Sequence, residues 1–257
     1  LTIIEILFRN IGVLNVSQTS VLRRKKTRKT KLIIFDFDGV IVDTSDLVFE
    51  VYQLIYKRYG LKKLDSQEDL KKLFDNNIPE TIAYLGVKRW KIPIMIMHGI
   101  IKGRRYSSKV SPCPGIEEVI KELSKEYRLI ILTSALGYSV KKYLNEKNLL
   151  QYFEAVLGFE KQRSKDRSFK KILIKYKVDK ENVLFITDTV GDILEAKKND
   201  LKVIGVGYGF QGKERLQKEN PDYMIDCAQE IVRVVNSHFE EIDKERLQGQ
   251  QLDKLAI

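Results

Sequence analysis

Short apolar runs separated by amphipathic stretches give the clearest pattern in the chain. Leu32–Phe35 is continuously apolar, as expected of a strand covered on both faces of a parallel sheet. Arg128–Leu132, Val183–Ile186 and Val203–Val206 repeat the pattern, and Ala155–Leu157 and Tyr223–Ile225 are shorter versions. Between these runs, apolar residues recur at helical spacing: Leu47, Val51, Leu54 and Ile55 before a stop at Gly60, then Ile116, Val119, Ile120 and Leu123. Further helices are predicted over 138–146, 169–176, 191–198 and 228–239. Strands alternating with helices predict an α/β fold, a parallel sheet wrapped by helices.

Residues 44–111 break that alternation. Helical patterns are expected over 66–75, 79–85 and 90–105, with no strand, so the stretch reads as a helical insert. The expected organisation is a basic extension over 1–30, a core over 31–43 and 112–236, the insert over 44–111, and a polar tail over 237–257 that projects as a helix or frays. Within the insert, Trp90, Ile92, Ile94 and Ile96 are expected in its core, and His98 as an ordinary residue there. Tyr208-Gly209-Phe210 reads as a turn packing on the core, with a loop near the site as the alternative.

Composition narrows the function. With 257 residues, 43% hydrophobic, 12 Tyr and 11 Phe, the chain can bury a real core and is not disordered throughout. Its net charge of +11 suggests nucleic acid. However, residues 1–31 hold eight Lys or Arg against Glu5 alone, a net +7. The excess therefore belongs largely to an extension ending in the run RRKKTRK, which reads either as a solvated segment or as a nucleic-acid-binding arm. No apolar run reaches the roughly 18–20 residues of a membrane span. The stretch 1–16 is broken by Glu5 and Arg9 and lacks the flanks of a secretory signal, so a cytoplasmic location without membrane attachment is expected. Cys113 and Cys227 form no CxxC pattern, which fits a reduced compartment. His98 and His238 are the two histidines, too few for a multi-histidine metal site. Catalysis would then rest on carboxylates, hydroxyls and lysines.

Open parallel sheets bind ligands at the carboxyl ends of their strands. Asp36 and Asp38 follow the first strand. Thr133 and Ser134 follow the 128–132 strand, and Thr187, Asp188 and Asp192 follow the 183–186 strand. Clustered carboxylates repel, and their pKa values rise unless a cation neutralises them. An all-oxygen set suits a hard cation such as Mg²⁺, which also favours phosphate. Strand alternation would send Asp36 and Asp38 to opposite sides, so the strand must end there, and Gly39 permits the turn. One carboxylate could then attack phosphorus while the other handles protons, splitting phosphoryl transfer into two steps. Hydroxyls and a lysine would stabilise the phosphoryl oxygens.

These residues resemble a known family. IIFDFDGVIVDT is similar to the first motif of haloacid dehalogenase-like (HAD) hydrolases, a DxDG signature after a buried strand. Thr133, ending LIILTS, resembles the second motif, and Lys165, or alternatively Lys161, the third. Asp188 and Asp192 in ITDTVGDILEA resemble the fourth, and PDYMID the closing strand. The resemblance covers about 31–236 and implies a Rossmann-like core. It implies Asp36 as nucleophile and Asp38 as general acid/base. Mg²⁺ would be held by Asp36, the Asp38 carbonyl and Asp188, with Asp192 supporting the metal or its waters. Thr133, Ser134 and Lys165 would bind the phosphoryl group. The insert occupies the place of the family's C1 cap. Relatives often carry Lys-Pro and Gly-Asp where this chain has Lys165-Asp166 and Thr187-Asp188.

Within the resemblance, the acid at Asp38 points to phosphoester chemistry rather than dehalogenation, whose leaving group needs no proton. The expected activity is Mg²⁺-dependent hydrolysis of a small phosphorylated metabolite, as in the phosphoglycolate phosphatase branch. A phosphomutase is one alternative, but sugar-phosphate mutases of this type carry a histidine five residues after the acid matching Asp43, where this chain has Val48. A non-catalytic binding module with the basic arm is the other. Asp43 itself is expected to cap the following helix. If the arm binds nucleic acid, retention on an RNA or DNA column falls with salt and disappears when residues 1–30 are deleted. Retention that is unchanged by the deletion removes the arm from consideration.

Overall fold

A computed structural model of the chain describes residues 30–73, 86, 88–91, 94, 98, 110–161 and 165–255. The basic extension, save residue 30, and most of the helices expected over 79–105 lie outside the described residues, as do Ile92 and Ile96. In chain order the elements are β1 (Leu32–Phe35), β2 (Val42–Asp43), α1 (Ser45–Tyr59), α2 (Gln67–Leu73), β3 (Ser111–Pro112), α3 (Ile116–Glu126), β4 (Arg128–Leu132) and α4 (Gly137–Glu146). They continue with β5 (Ala155–Leu157), α5 (Lys165–Tyr176), β6 (Val183–Thr187), α6 (Val190–Lys197), β7 (Lys202–Val206), α7 (Lys213–Lys218), β8 (Tyr223–Ile225) and α8 (Glu230–Leu255).

Six strands form one sheet in the order β5-β4-β1-β6-β7-β8, and every pairing in it is parallel. β1 lies between β4 and β6, with Ile34 beside both Ile130 and Phe185. All four β1 side chains are fully buried, which explains why the run is apolar throughout. Ile33 and Phe35 enter a core with α3, α4 and α8. Leu32 and Ile34 enter the opposite one with α5, α6 and α7. This is the expected layered α/β architecture. Ile116, Val119, Ile120 and Leu123 are the buried residues of α3, as their spacing requires.

Several features escape the sequence pattern. β2 and β3 pair antiparallel, Val42 with Pro112 and Asp43 with Ser111, so the segment between them leaves and returns at one place. Two residues per strand are too few to show a period. α5 begins at Lys165 rather than near Phe169, because its first turn is polar. α7 also went unpredicted, with six residues and one buried side chain, Leu216. α8 continues to Leu255, held near its middle by Phe239 in the core and by Lys31, whose ammonium lies 2.6 Å from Asp243.

In the inserted segment, Tyr52, Ile55, Leu61, Leu64 and Leu70 build a small core of their own. Gly60 closes α1 in a left-handed conformation, φ 67°, the conformation that glycine adopts without steric penalty. The Tyr52 hydroxyl donates to Lys62 O at 2.5 Å and Gln53 Nε2 to Leu64 O at 2.6 Å, tying down the chain beyond the helix. Trp90 and Ile94, expected inside, are exposed at 66% and 55%. Apolar residues on successive turns do not by themselves create a partner to bury them. His98 lies beside Tyr59, Nδ1 to hydroxyl 3.3 Å. Among the described residues no helix is long and apolar enough to cross a membrane.

Phe185 meets Phe169 edge to face at 5.0 Å between ring centres, fastening α5 to the sheet. Phe185→Ala is expected to lower the unfolding free energy by about 3–5 kcal/mol in urea titration. A loss under about 1 kcal/mol would show that this face is loosely packed.

Candidate active site

The three central strands end side by side, where the chain's path through the sheet changes direction. The Asp36 amide makes one more ladder bond, to Ile186 O at 2.9 Å, before the chain turns. The turn over residues 37–42 closes through Gly39 N to Val42 O and Ile41 N to Phe37 O, at 2.8 and 2.9 Å. Gly39 adopts φ +73°, and a Cβ on it would stand 1.7 Å from Asp188 Oδ2. The turn thus requires glycine both for its backbone angle and for the approach of the β6 carboxylate.

Asp36 is buried, with Oδ1 accepting from the Phe37 amide at 2.7 Å. Its Oδ2 lies 2.5 Å from Lys165 Nζ. The same ammonium lies 2.5 Å from Asp192 Oδ2, which also accepts from the Thr187 hydroxyl at 3.0 Å. Lys165 opens α5, where the helix dipole disfavours a cation, so the two carboxylates set its place. The α5 terminus is in turn fastened to α6. The Asp166 amide donates to Glu195 Oε2 and Asn199 Nδ2 donates to Asp166 Oδ1, both at 2.9 Å. Asp192 sits in the first turn of α6, where the dipole favours an acid, and its amide donates to the Thr189 hydroxyl at 3.3 Å. Of the other basic candidates, Lys161 closes a short 3₁₀ turn and Arg163 lies outside the described residues.

Thr133 is fully buried at the end of β4, its hydroxyl accepting from the Ala135 amide at 2.9 Å. Asp38 is half-buried and hydrogen-bonded to the side chains of Thr44 and Thr133. Ser134 is exposed and makes no hydrogen bond to this cluster among the described residues. Asp43 is also exposed, and its carboxylate accepts from the Ser45 amide at 2.9 Å at the start of α1. Thr44 is the residue at the N-cap position.

Asp188 is buried between two glycines, since a Cβ on Gly209 would lie 2.2 Å from Asp188 Cβ. Its Oδ2 accepts from the Phe210 amide at 2.7 Å. Its Oδ1 is buried with no hydrogen-bond partner, an arrangement that native proteins rarely leave unexplained. The 208–210 turn, for which the sequence favours core packing with a loop near the site as the alternative, therefore contacts the site. The YGF string shows only a turn, because an amide pointing at a carboxylate leaves no mark on residue type.

Burial drives the electrostatics. It pushes Asp36 well above the usual carboxylate range, with Lys165 opposing and Asp192 and Asp188 adding to the rise. It raises Asp38 against the pull of Lys165 and the two threonine hydroxyls. Asp188 is pushed up to about 7, again chiefly by burial, with the Phe210 amide opposing. Asp192 is buried too, but Lys165 and its hydrogen bonds hold it below the ordinary value. Lys165 stays charged because its two carboxylates overcome its own desolvation. Among the described residues, no three Asp, Glu, His or Cys side chains converge as a ready-made metal cage. The residues do fit a cation bound by two side chains and a carbonyl. Asp188 Oδ1 lacks a partner, all donors are oxygen, and the two glycines let backbone and carboxylates approach closely.

Residues 33–206 match the haloacid dehalogenase-like hydrolase family, and the chain belongs to it. Among curated relatives, the pyrophosphatase PpaX of Listeria monocytogenes is 20% identical over 213 residues, spanning 81% of this chain and 98% of that protein. A haloacid dehalogenase-like family hydrolase from Streptococcus pneumoniae superposes with TM-score 0.70 at 19% identity, covering 81% of this chain and 99% of that one. A protein described as a predicted phosphoglycolate phosphatase from Haemophilus somnus gives TM-score 0.66 at 18% identity, covering 80% and 98%.

Two glycine variants separate backbone strain from crowding of the site. Gly60 also has φ +67°, but a Cβ on it would meet no atom within 4 Å, so Gly60→Ala should cost about 1–2 kcal/mol. Gly39→Ala adds the collision with Asp188 and should cost more in urea unfolding. Equal costs would mean that Asp188 is free to swing away.

Proposed function

We propose that the protein is a Mg²⁺-dependent phosphatase that acts on a small phosphorylated compound through an aspartyl-phosphate on Asp36. The observation that carries this reading is the Asp36 carboxylate, buried at the end of β1 and held by the Phe37 amide and the Lys165 ammonium. Such a group is oriented for in-line attack and shielded from competing water.

Asp36, the Asp38 carbonyl and Asp188 would hold Mg²⁺, with Asp192 engaged mainly with Lys165. When bound, the dication neutralises phosphoryl charge and returns the buried acids toward their ionised forms. An Asp36 oxygen attacks phosphorus, and the bond from phosphorus to the leaving oxygen breaks. Asp38, whose protonated form burial favours, donates its proton to that oxygen. Asp38, now ionised, takes a proton from water as the water oxygen attacks the phosphorus. The bond to Asp36 then breaks, inorganic phosphate leaves and Asp36 is restored. Thr133 and Lys165 bind phosphoryl oxygens during both steps, with Ser134 at the exposed side. Thr187 and Asp192 keep Lys165 in place. Within the same chemistry, the name of the Listeria relative favours inorganic pyrophosphate as a candidate substrate, since its leaving phosphate needs the same proton.

Purified protein should turn over an aryl phosphate, inorganic pyrophosphate or members of a panel of metabolite monoesters with Mg²⁺, and stop with chelator. Asp36→Asn should lower the rate more than about a thousandfold, and Asp38→Asn about 10²- to 10⁴-fold, with circular dichroism unchanged. No turnover by folded, Mg²⁺-saturated wild type across the panel would overturn the reading.

A further inference from the structure

The loop after β7 touches the site at four consecutive residues. The Tyr208 hydroxyl donates to Val40 O at 3.2 Å, in the turn that follows Asp36 and Asp38. Gly209 packs so tightly on Asp188 that no Cβ fits. The Phe210 amide donates to Asp188 Oδ2. Gln211 Oε1 accepts from the amide of Val190, the first residue of α6, at 2.7 Å. All four contacts anchor the loop's backbone and flanking side chains to the core.

The Phe210 side chain points elsewhere. It packs on the small core of the inserted segment, the cluster of Tyr52, Ile55, Leu61, Leu64 and Leu70 that also takes in Phe49. Among the described residues of that cluster, Phe210 alone comes from outside the insert. One residue therefore joins two bodies, its ring seated in the insert and its amide on the carboxylate.

We propose that Phe210 is a positioning residue that couples the seating of the insert to the aim of Asp188. Amide and ring share one Cα, so a displacement of the insert that the side-chain torsions do not absorb reaches the amide. Asp188 Oδ2 then loses its donor, and the carboxylate can turn Oδ1 away from the position it holds. With the insert seated, Asp188 is fixed, so affinity for the cation and coverage of the site rise together. The significance for catalysis rests on the phosphatase reading, whereas the coupling itself is geometric.

The test uses the full chain and two positions. Phe210→Ala keeps the amide and removes the ring. It should raise the Mg²⁺ dissociation constant in calorimetry by about tenfold, the usual loss when a residue supporting a metal ligand is removed, and Phe210→Leu should restore most of it. Phe49→Ala, in the insert, should raise the same constant in wild type but not in the Phe210→Ala background, the non-additivity that defines coupling. Without Mg²⁺ or substrate, both single variants should speed hydrogen exchange at the Phe210 amide. Additive effects, an unchanged Mg²⁺ constant in Phe210→Ala, or loss of thermal stability that Phe210→Leu does not rescue would overturn the coupling. Wild type that binds no Mg²⁺ would sink the phosphatase reading instead, and exchange at Phe210 in the two variants would then decide the coupling by itself.

Discussion

Lys165 reaches into a cluster of four aspartates, and the placement of much else follows from burying that one cation there. Its ammonium satisfies Asp36 and Asp192 at once. Removing one partner of a buried ion pair leaves an uncompensated charge, which costs far more than the pair itself contributes. The elements that carry the three groups must therefore keep their register. β1 supplies Asp36 from the centre of the sheet, α6 supplies Asp192, and α5 supplies the lysine from a helix terminus that the dipole alone would not favour. The bonds of Asp166 with Glu195 and Asn199 fasten the start of α5 to the far end of α6 and the residues just beyond it, which helps to hold the helix that delivers Lys165.

One ammonium cannot balance four carboxylates, and burial, reinforced at Asp36 and Asp188 by the neighbouring acids, raises Asp36, Asp38 and Asp188. Asp192 alone falls, because it faces Lys165 and the hydroxyls of Thr187 and Thr189. The site therefore divides into a neutralised half, Asp192 with the lysine, and an electron-rich half, where Asp188 Oδ1 lacks a partner. Under the proposed function, that division places a cation on the side of Asp188 and leaves Asp192 to the lysine.

The sequence made the sheet legible because strands buried on both faces must be apolar throughout, and Leu32–Phe35 and Val183–Thr187 are fully buried. It made the acids legible because they follow those strands directly. The third motif was harder. Lys161, Arg163 and Lys165 are chemically alike and close in sequence, and only burial separates Lys165 from a solvated lysine. The β2–β3 ribbon and the Phe210 amide left no trace, because backbone hydrogen bonds can be made by nearly any residue. Thr187, a departure from the Gly-Asp common in relatives, gains meaning only in three dimensions, where its hydroxyl meets Asp192.

The division between core and insert follows from the same physics. Among the described residues the insert's own cluster holds five buried side chains, whereas the sheet has a full hydrophobic layer on each face. Among the described residues the two-residue β2–β3 ribbon joins the insert to the large core. Phe210 adds an apolar contact across that boundary next to the chemistry, from a loop whose backbone donor already holds the buried Asp188 carboxylate. A displaced insert and an ordered site are therefore mechanically opposed, which suits a hydrolase that must admit a substrate and then limit the water at its site.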